Sequence, residues 1–273
     1  MKRVLSCFLA CALASTALAP AALAATADPG SEQFTPTTTS DAKVAGFNNE
    51  AASLKMQLAG RYNSGAQSAD GGSLEIVQYN AANGYSYAVS GVKGKLIAVQ
   101  TSQKMDAETV SNLAGTEYDL KDLLTSDSFT YGDMTSVAVS PDGSKLAVAV
   151  QAENYAAAGL VALFACNADG SLNLLSTAQV GVQPDMVTFA GESAILTADE
   201  GEPRLGTEGT DPKGSVSVVK IGQDNALSVT SVYFDQYDAQ RDQLTESGVL
   251  IQKGIMPSTD FEPEYIAVSG NNA

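Results

Sequence analysis

Two acidic strings near the C-terminal end carry the side chains best suited to chemistry. They read Asp199-Glu200-Gly201-Glu202-Pro203 and Asp260-Phe261-Glu262-Pro263-Glu264-Tyr265. Each string adjoins an apolar run that is typical of a β-strand, residues 194–198 in the first case and 265–269 in the second. Because proline fixes φ and removes a backbone donor, these strings predict a rigid acidic rim at the strand ends.

Carboxylates gathered in this way would suit a hard divalent cation. Calcium takes oxygen ligands, and repulsion between neighbouring carboxylates raises their pKa values and favours a counter-cation. The alternative is that these acids cap turns and bond to backbone N–H groups, with Arg61, Arg204 or Lys213 as counter-charges. No Asp-x-Asp-x-Asp-Gly calcium loop decides between the two interpretations. The candidate metal ligands are Glu200, Glu202, Asp211, Glu262 and Glu264.

The composition excludes several kinds of enzyme. Histidine and tryptophan are both absent. Without histidine the chain has no Ser-His-Asp or Cys-His arrangement, no histidine zinc site and no histidine general base. No catalytic residue and no organic cofactor is predicted, and a binding role is favoured over an enzymatic one.

The N-terminus has the pattern of a secretory signal peptide. Lys2 and Arg3 precede an apolar stretch, and Ala22-Leu23-Ala24 is a small-residue cleavage site. The stretch is too short and too rich in small residues for a membrane span. We therefore expect export to the periplasm, the cell surface or the medium, with residues 1–24 removed and no span in the mature chain.

The mature chain would be acidic and would carry a single thiol. Cys7 and Cys11 leave with the signal peptide, so Cys166 cannot form an internal disulfide and is predicted to be a buried thiol. The formal net charge is −16, and loss of Lys2 and Arg3 lowers it by two more. This charge argues against nucleic acid as a partner and is compatible with cation binding.

Short alternating strands follow a polar segment. Residues 25–49 are rich in Thr, Ser, Ala and Pro and are predicted to be a flexible leader to a domain over 50–273. In that domain, residues 135–140 and 145–150 alternate around the turn Pro141-Asp142-Gly143-Ser144. Two further strands complete a four-stranded antiparallel unit of the size of one propeller blade.

The pattern recurs before and after this unit. Residues 74–99 hold three strands of an earlier copy, residues 186–232 hold a complete later copy, and residues 265–269 begin another. The sequence therefore predicts an all-β, propeller-like array that is incomplete, with about three blades and one strand. Propellers use roughly four to eight blades, so we expect a shortened relative of a longer protein, or an open array whose uncovered edge associates with another chain.

Five motifs stand out along the chain: Gly60-Arg61-Tyr62, Gly71 to Val77, Pro184 to Val187, Glu200 to Pro203 and Glu262 to Tyr265. Together they resemble the choice-of-anchor I family of exported bacterial β-propeller proteins. The Arg204–Gly209 segment departs from the more acidic loop that the family has there, which weakens an ion site that needs those oxygens.

This resemblance implies a surface-displayed module that binds a cell-surface or extracellular ligand. Some members of the family are labelled alkaline phosphatase or are joined to a nucleotidase domain. The alternative function is therefore a calcium-dependent, phytase-like phosphoesterase, in which carboxylate-bound calcium attracts phosphate and activates water.

We expect N-terminal sequencing of the exported protein to begin at Ala25, or at Asp28 if cleavage follows Ala27. The reason is the small-residue site that ends the apolar stretch. A chain that retains Met1, or one that is lipidated at Cys11, would contradict the assignment.

Overall fold

The computed structural model describes residues 58–66, 73–102, 110–126, 128–204, 211–270 and 273. The predicted signal peptide, the leader and the first residues of the predicted domain lie outside the described residues. Within the described part, the strands form three four-stranded antiparallel sheets and one short parallel pair.

The first sheet, blade 1, has the order β2-β3-β4-β6. Strands β1 and β5 form the parallel pair beside it, and the helix α1 (Leu120–Leu124) leads to the next sheet. The remaining bounds are β1 (Gly60–Arg61), β2 (Val77–Asn80), β3 (Tyr85–Ser90), β4 (Lys95–Gln100), β5 (Ser111–Asn112) and β6 (Gly115–Asp119).

The second and third sheets, blades 2 and 3, follow the chain order strand by strand. Blade 2 consists of β7 (Tyr131–Val139), β8 (Lys145–Ala152), β9 (Ala158–Cys166) and β10 (Leu172–Val182), and blade 3 of β11 (Pro184–Phe189), β12 (Ala194–Asp199), β13 (Ser215–Ile221) and β14 (Leu227–Tyr233). The first strands of the blades lie side by side, since β7 contacts both β2 and β11. The described array is therefore three consecutive four-stranded propeller blades, as predicted, and their first strands are neighbours.

Alternating side chains of blade 2 fill the cores on its two sides. Leu146 and Val148 point into a cluster shared with blade 1, whereas Ala147 and Leu163 belong to a cluster shared with blade 3. Successive side chains of a strand point to opposite faces, so a strand with apolar residues at every position is buried on both faces. This is why β8 and β9 form the middle of the array.

Buried hydrogen bonds join the blades at defined points. Asn80 of blade 1 is fully buried, and its Nδ2 donates to the Gly143 carbonyl of blade 2 at 2.8 Å. Gly143 has φ +74°, and a Cβ there would lie 2.4 Å from Asn80 Oδ1. The turn predicted at residues 141–144 therefore needs glycine for both its backbone conformation and its contact with blade 1.

The segment after blade 3 differs from the prediction. It contains the 3₁₀ helix Asp235–Gln240 and the helices α2 (Arg241–Glu246) and α3 (Pro257–Asp260). A further 3₁₀ helix, Gln223–Asn225, lies within blade 3 between β13 and β14. Residues 265–268 are not in a strand, and only Ser269 forms a β-bridge. The predicted strand over 265–269 is wrong because its alternating pattern finds no ladder partner among the described residues.

Apolar side chains remain exposed on blades 1 and 3. Val77 and Tyr79 of β2 are 60% and 54% exposed, and Val232 and Tyr233 of β14 are each 48% exposed. Self-association through an uncovered edge of the array stays a prediction. None of the helices in the described part of the chain has the length and apolar character that a membrane crossing requires.

Candidate functional site: an acidic end of the blades

A buried carboxylate fixes the end of blade 3 at which the first acidic string begins. Asp199, the last residue of β12, is fully buried and accepts hydrogen bonds from the hydroxyls of Thr197, Ser215 and Ser217 at 2.6, 2.8 and 2.6 Å. Gly181 packs against this group so closely that a Cβ there would lie 2.4 Å from Asp199 Oδ2. The network ties β12 and β13 to the end of β10.

The backbone after Asp199 is held against the junction of blades 2 and 3. The Glu200 N–H donates to the Gln183 carbonyl at 2.9 Å, and the Gly201 N–H donates to the Val182 carbonyl at 3.1 Å. Gly201 has φ +57°, and a Cβ there would lie 2.5 Å from the Lys213 carbonyl oxygen. The loop therefore turns sharply, and its glycine cannot be replaced without strain.

The second acidic string lies against the first. A Cβ on Gly214 would lie 2.0 Å from the Phe261 carbonyl oxygen, 2.8 Å from Pro263 Cδ and 3.1 Å from the Glu200 carbonyl oxygen. The absence of a side chain at Gly214 thus allows the two backbones to approach. We call the region where they meet the acidic end, and the carboxylates Asp185, Glu200, Glu202, Glu262 and Glu264 the acidic cluster.

The carboxylates of the acidic cluster repel one another. Burial raises the pKa of Glu200 to about 7, and repulsion from Asp185, Glu202, Glu262 and Glu264 adds to this effect. Burial is also the largest cause of the raised pKa of Glu262, followed by repulsion from Glu202, Asp260 and Glu264. At neutral pH the cluster therefore holds more negative charge than its surroundings favour.

Asp185 joins the cluster without having been predicted as a ligand. It follows Pro184, which pairs with Asp199 across the β11–β12 ladder, so it begins its strand at the end where the acidic string leaves β12. Burial raises its pKa, and repulsion from Glu264 and Glu75 contributes. An acid directly after the proline that opens a strand was the available signal in the sequence.

Asp211 has a different role from the other four predicted ligands. Its Oδ1 accepts the Arg204 N–H at 2.8 Å, and it is not among the carboxylates that raise the pKa of Glu200. For Asp211 the structure agrees with the alternative interpretation, in which the acid bonds to a backbone N–H group. Glu200, Glu202, Glu262 and Glu264 are brought together.

A buried acceptor lies beside the cluster in sequence. Gln183 forms the one-residue connection between β10 and β11, has φ +53° and is only 7% exposed. Its Oε1 is buried and accepts no hydrogen bond from the described part of the protein. A buried, unsatisfied acceptor and a positive φ at a residue other than glycine each lower the stability of the folded protein. The rest of the fold must therefore compensate for this connection.

The predicted counter-charges are engaged in different ways. Arg204 pairs with Glu202 at 3.6 Å, and its guanidinium carbon lies 4.9 Å from the centre of the Tyr155 ring. Lys213 pairs with Asp235. Arg61 donates from Nε to Asn112 Oδ1 at 2.9 Å. Only Arg204 therefore neutralises a member of the acidic cluster through an ion pair found in the described residues.

The arrangement can attract cations but is not a preformed metal centre. Among the residues that the structure describes, no group of three or more cysteine or acidic side chains is positioned to hold a metal ion. Cys166 has its pKa raised to about 11, mainly by burial, so it is not an activated nucleophile. The chemistry available at the acidic end is electrostatic attraction and coordination by oxygen.

Comparison with known proteins gives a family and several solved structures with partial similarity. The choice-of-anchor I domain model matches residues 75–273. No curated protein matches the chain.

Two of these solved structures show the extent of the similarity. The periplasmic gluconolactonase of Pseudomonas aeruginosa is 16% identical with a TM-score of 0.43, over 58% of this chain and 39% of that one. A protein from Lactobacillus plantarum is 15% identical with a TM-score of 0.41, over 65% of this chain and 45% of that one. The chain thus spans less than half the length of these proteins, and similarity at this level carries no inference about activity.

Replacement of Glu200 by Gln should stabilise the protein at pH 8 and have little effect at pH 4. The glutamate has a native pKa near 7 and an unfolded pKa near 4.5, so its contribution to stability is lost as the pH rises through this interval. Urea unfolding in EDTA should show Glu200→Gln to be more stable than wild type by roughly 1–3 kcal/mol at pH 8.

Glu246→Gln is the control, because Glu246 is an exposed residue of α2 outside the acidic cluster. It should change stability by less than about 0.5 kcal/mol at either pH. A Glu200→Gln variant that is equal to or less stable than wild type at pH 8 would show that Glu200 is not strained.

Proposed function

Since the chain belongs to the choice-of-anchor I domain family, we propose that it is an exported β-propeller module that binds its ligand at the acidic end. The observation that carries the proposal is the convergence of two distant acidic strings with the start of β11. Carboxylates that repel one another in the folded protein are stabilised by any cation that neutralises them. A binding partner with positive charge is therefore the chemistry that this end favours.

Calcium is the ion that we propose for the cluster. It accepts six to eight oxygen ligands in flexible geometries, so side chains that are close but not fully arranged can adjust around it. Glu200, Glu202, Glu262 and Glu264 are the proposed ligands, and Asp185 adds a fifth carboxylate. Asp211 would join them only by giving up the Arg204 N–H.

Binding is favoured over phosphoester hydrolysis. A phosphoesterase of this kind needs positive side chains beside its metal to hold phosphate, but Arg204 pairs with Glu202 and Lys213 pairs with Asp235. The chain also has no histidine, and the thiol of Cys166 is not activated. These features support a binding module, and no observation favours the phosphoesterase alternative.

Export and display at the cell surface are part of the proposal. The secretory pattern of residues 1–24 and the family support them, and the cleavage measurement given above tests them. An exported domain would meet calcium at higher concentrations than a cytoplasmic one, which suits the weak, flexible sites of extracellular modules.

Calcium should raise the melting temperature of the mature protein by several degrees at pH 7.5. A ligand that binds only the folded state stabilises it by about 2.7 kcal/mol at one hundred times its dissociation constant. Glu202→Gln combined with Glu264→Gln should abolish the shift, since it removes two ligands of the site. Differential scanning calorimetry at constant ionic strength measures the effect.

Glu192→Gln combined with Glu246→Gln is the matched control. It makes the same change in charge, but Glu192 lies in the β11–β12 turn at the opposite end of blade 3 and Glu246 lies in α2. This variant should keep the full calcium shift. The proposal of a calcium site fails if wild type shows no shift, or if both double variants respond like wild type.

A further inference from the structure

A shallow groove of about 670 Å³ lies beside the acidic end, in the segment between β14 and residue 263. It is formed after blade 3, and the exposed apolar side chains of β2 and β14 are not among its lining residues. Its apolar lining consists of Phe234, Val249, Leu250, Phe261 and Pro263.

Packed aromatic rings support the groove. Phe234 and Phe261 meet edge to face with ring centres 5.7 Å apart, and Tyr237 lies 6.5 and 6.3 Å from them. Such pairs contribute beyond their buried area, so they hold the 234–237 and 261 segments together. The floor of the groove is therefore a structured surface.

One wall presents an uncovered leucine. Leu250 is 95% exposed, the largest exposure among the large apolar side chains of the described residues. Its backbone is nevertheless fixed nearby, because the Gln252 N–H donates to Asp260 Oδ2 at 2.9 Å and Arg241 Nη2 donates to the Gln252 carbonyl at 2.9 Å. Together with the other apolar side chains that line the groove, Leu250 forms a contiguous exposed apolar surface, which is typical of a contact site.

Acidic side chains also line the groove. Asp260 and Glu262 line the groove, and Glu262 also belongs to the acidic cluster. Two carboxylates that line an apolar groove favour a partner that carries a positive group next to an apolar one. The nearby Arg241 guanidinium is directed to the Gln252 and Ile255 carbonyls, and Lys253 is not among the lining residues.

We propose that the groove docks a segment of a partner protein in which an apolar side chain stands next to lysine or arginine. The apolar side chain would cover Leu250 and the aromatic floor, and the basic side chain would reach Glu262 and the rest of the acidic cluster. Charge complementarity selects this partner, because acidic side chains line the groove and the whole chain carries a formal net charge of −16. The inference rests on the proposed binding role of the acidic end, but it does not require calcium.

The test measures binding of three labelled peptides by fluorescence anisotropy in 150 mM salt and EDTA. The probe is a short peptide of alternating lysine and leucine. In one comparison peptide serine replaces leucine, and in the other glutamate replaces lysine. The lysine–leucine peptide should bind at least about tenfold more tightly than either, because it alone supplies both charge and apolar surface.

Two pairs of variants locate the site. Leu250→Ser should weaken the lysine–leucine peptide about tenfold, whereas Val92→Ser should not, although Val92 is also an exposed apolar residue at 52%. Glu262→Gln should weaken binding and reduce its salt dependence, whereas Glu246→Gln should not. Since Leu250 makes little contact with the core, its substitution leaves the blades folded.

Several results would overturn the proposal. They are the absence of binding, equal binding of the lysine–serine peptide, or equal weakening by Val92→Ser and Leu250→Ser. A dimer of the wild-type protein in light scattering that Leu250→Ser disrupts would assign the groove to a second copy instead. Calorimetry of Leu250→Ser with calcium separates the two proposals, because this variant should keep the full calcium shift.

Discussion

The arrangement of the acidic end depends on the hydrogen bonds that the buried carboxylate of Asp199 accepts. Three hydroxyls from β12 and β13 surround it at 2.6 to 2.8 Å, and Gly181 closes the remaining side. Since a buried carboxylate is costly unless such donors satisfy it, this network fixes where β12 ends and in which direction the chain leaves. Glu200 is the next residue, so the same network also determines its position.

Two close backbone approaches extend the constraint to the second acidic string. Gly201 lies against the Lys213 carbonyl, and Gly214 lies against the Phe261 carbonyl, in each case without room for a side chain. The folded backbone therefore forces Glu262 and Glu264 towards Glu200 despite their repulsion. The repulsion between these carboxylates lowers the stability of the folded protein, and a positive ligand would reduce it. Clusters of like charges with perturbed pKa values are characteristic of functional sites. The apolar groove adjoins the same charges, so one end of the protein offers both electrostatic and apolar contacts.

The parts of the fold that sequence reasoning predicted are those that local patterns determine. Alternation and the turn at Pro141–Ser144 are sufficient for blades 2 and 3, because period-two patterns and turn residues act over a few positions. Strand β6 was not predicted, since its residues Gly115–Asp119 are mostly exposed and show no apolar alternation. The strand over 265–269 was predicted wrongly, because alternation alone does not supply a partner.

The acidic cluster also contains members that local patterns predict and members that only the folded structure reveals. Glu200, Glu202, Glu262 and Glu264 were predicted from their spacing and from the prolines beside them. The membership of Asp185 depends on the pairing of Pro184 with Asp199, and the separate role of Asp211 depends on its bond to the Arg204 N–H. Both are long-range or three-dimensional facts that a single sequence does not contain. The groove around Leu250 was missed for the same reason, since its lining comes from three separate segments.

The central claim is that the fold holds Glu200 among other carboxylates in a partly buried site that favours a positive ligand. Its most direct test is a titration of the glutamate side-chain carboxyl carbons by NMR in the metal-free protein, with the Glu200 resonance assigned through Glu200→Gln. We predict a pKa of about 7 for Glu200, and a lower value when calcium is added. A Glu200 pKa near the ordinary 4.5 without metal would contradict the account, because it would show that neither burial nor neighbouring charge acts on this residue.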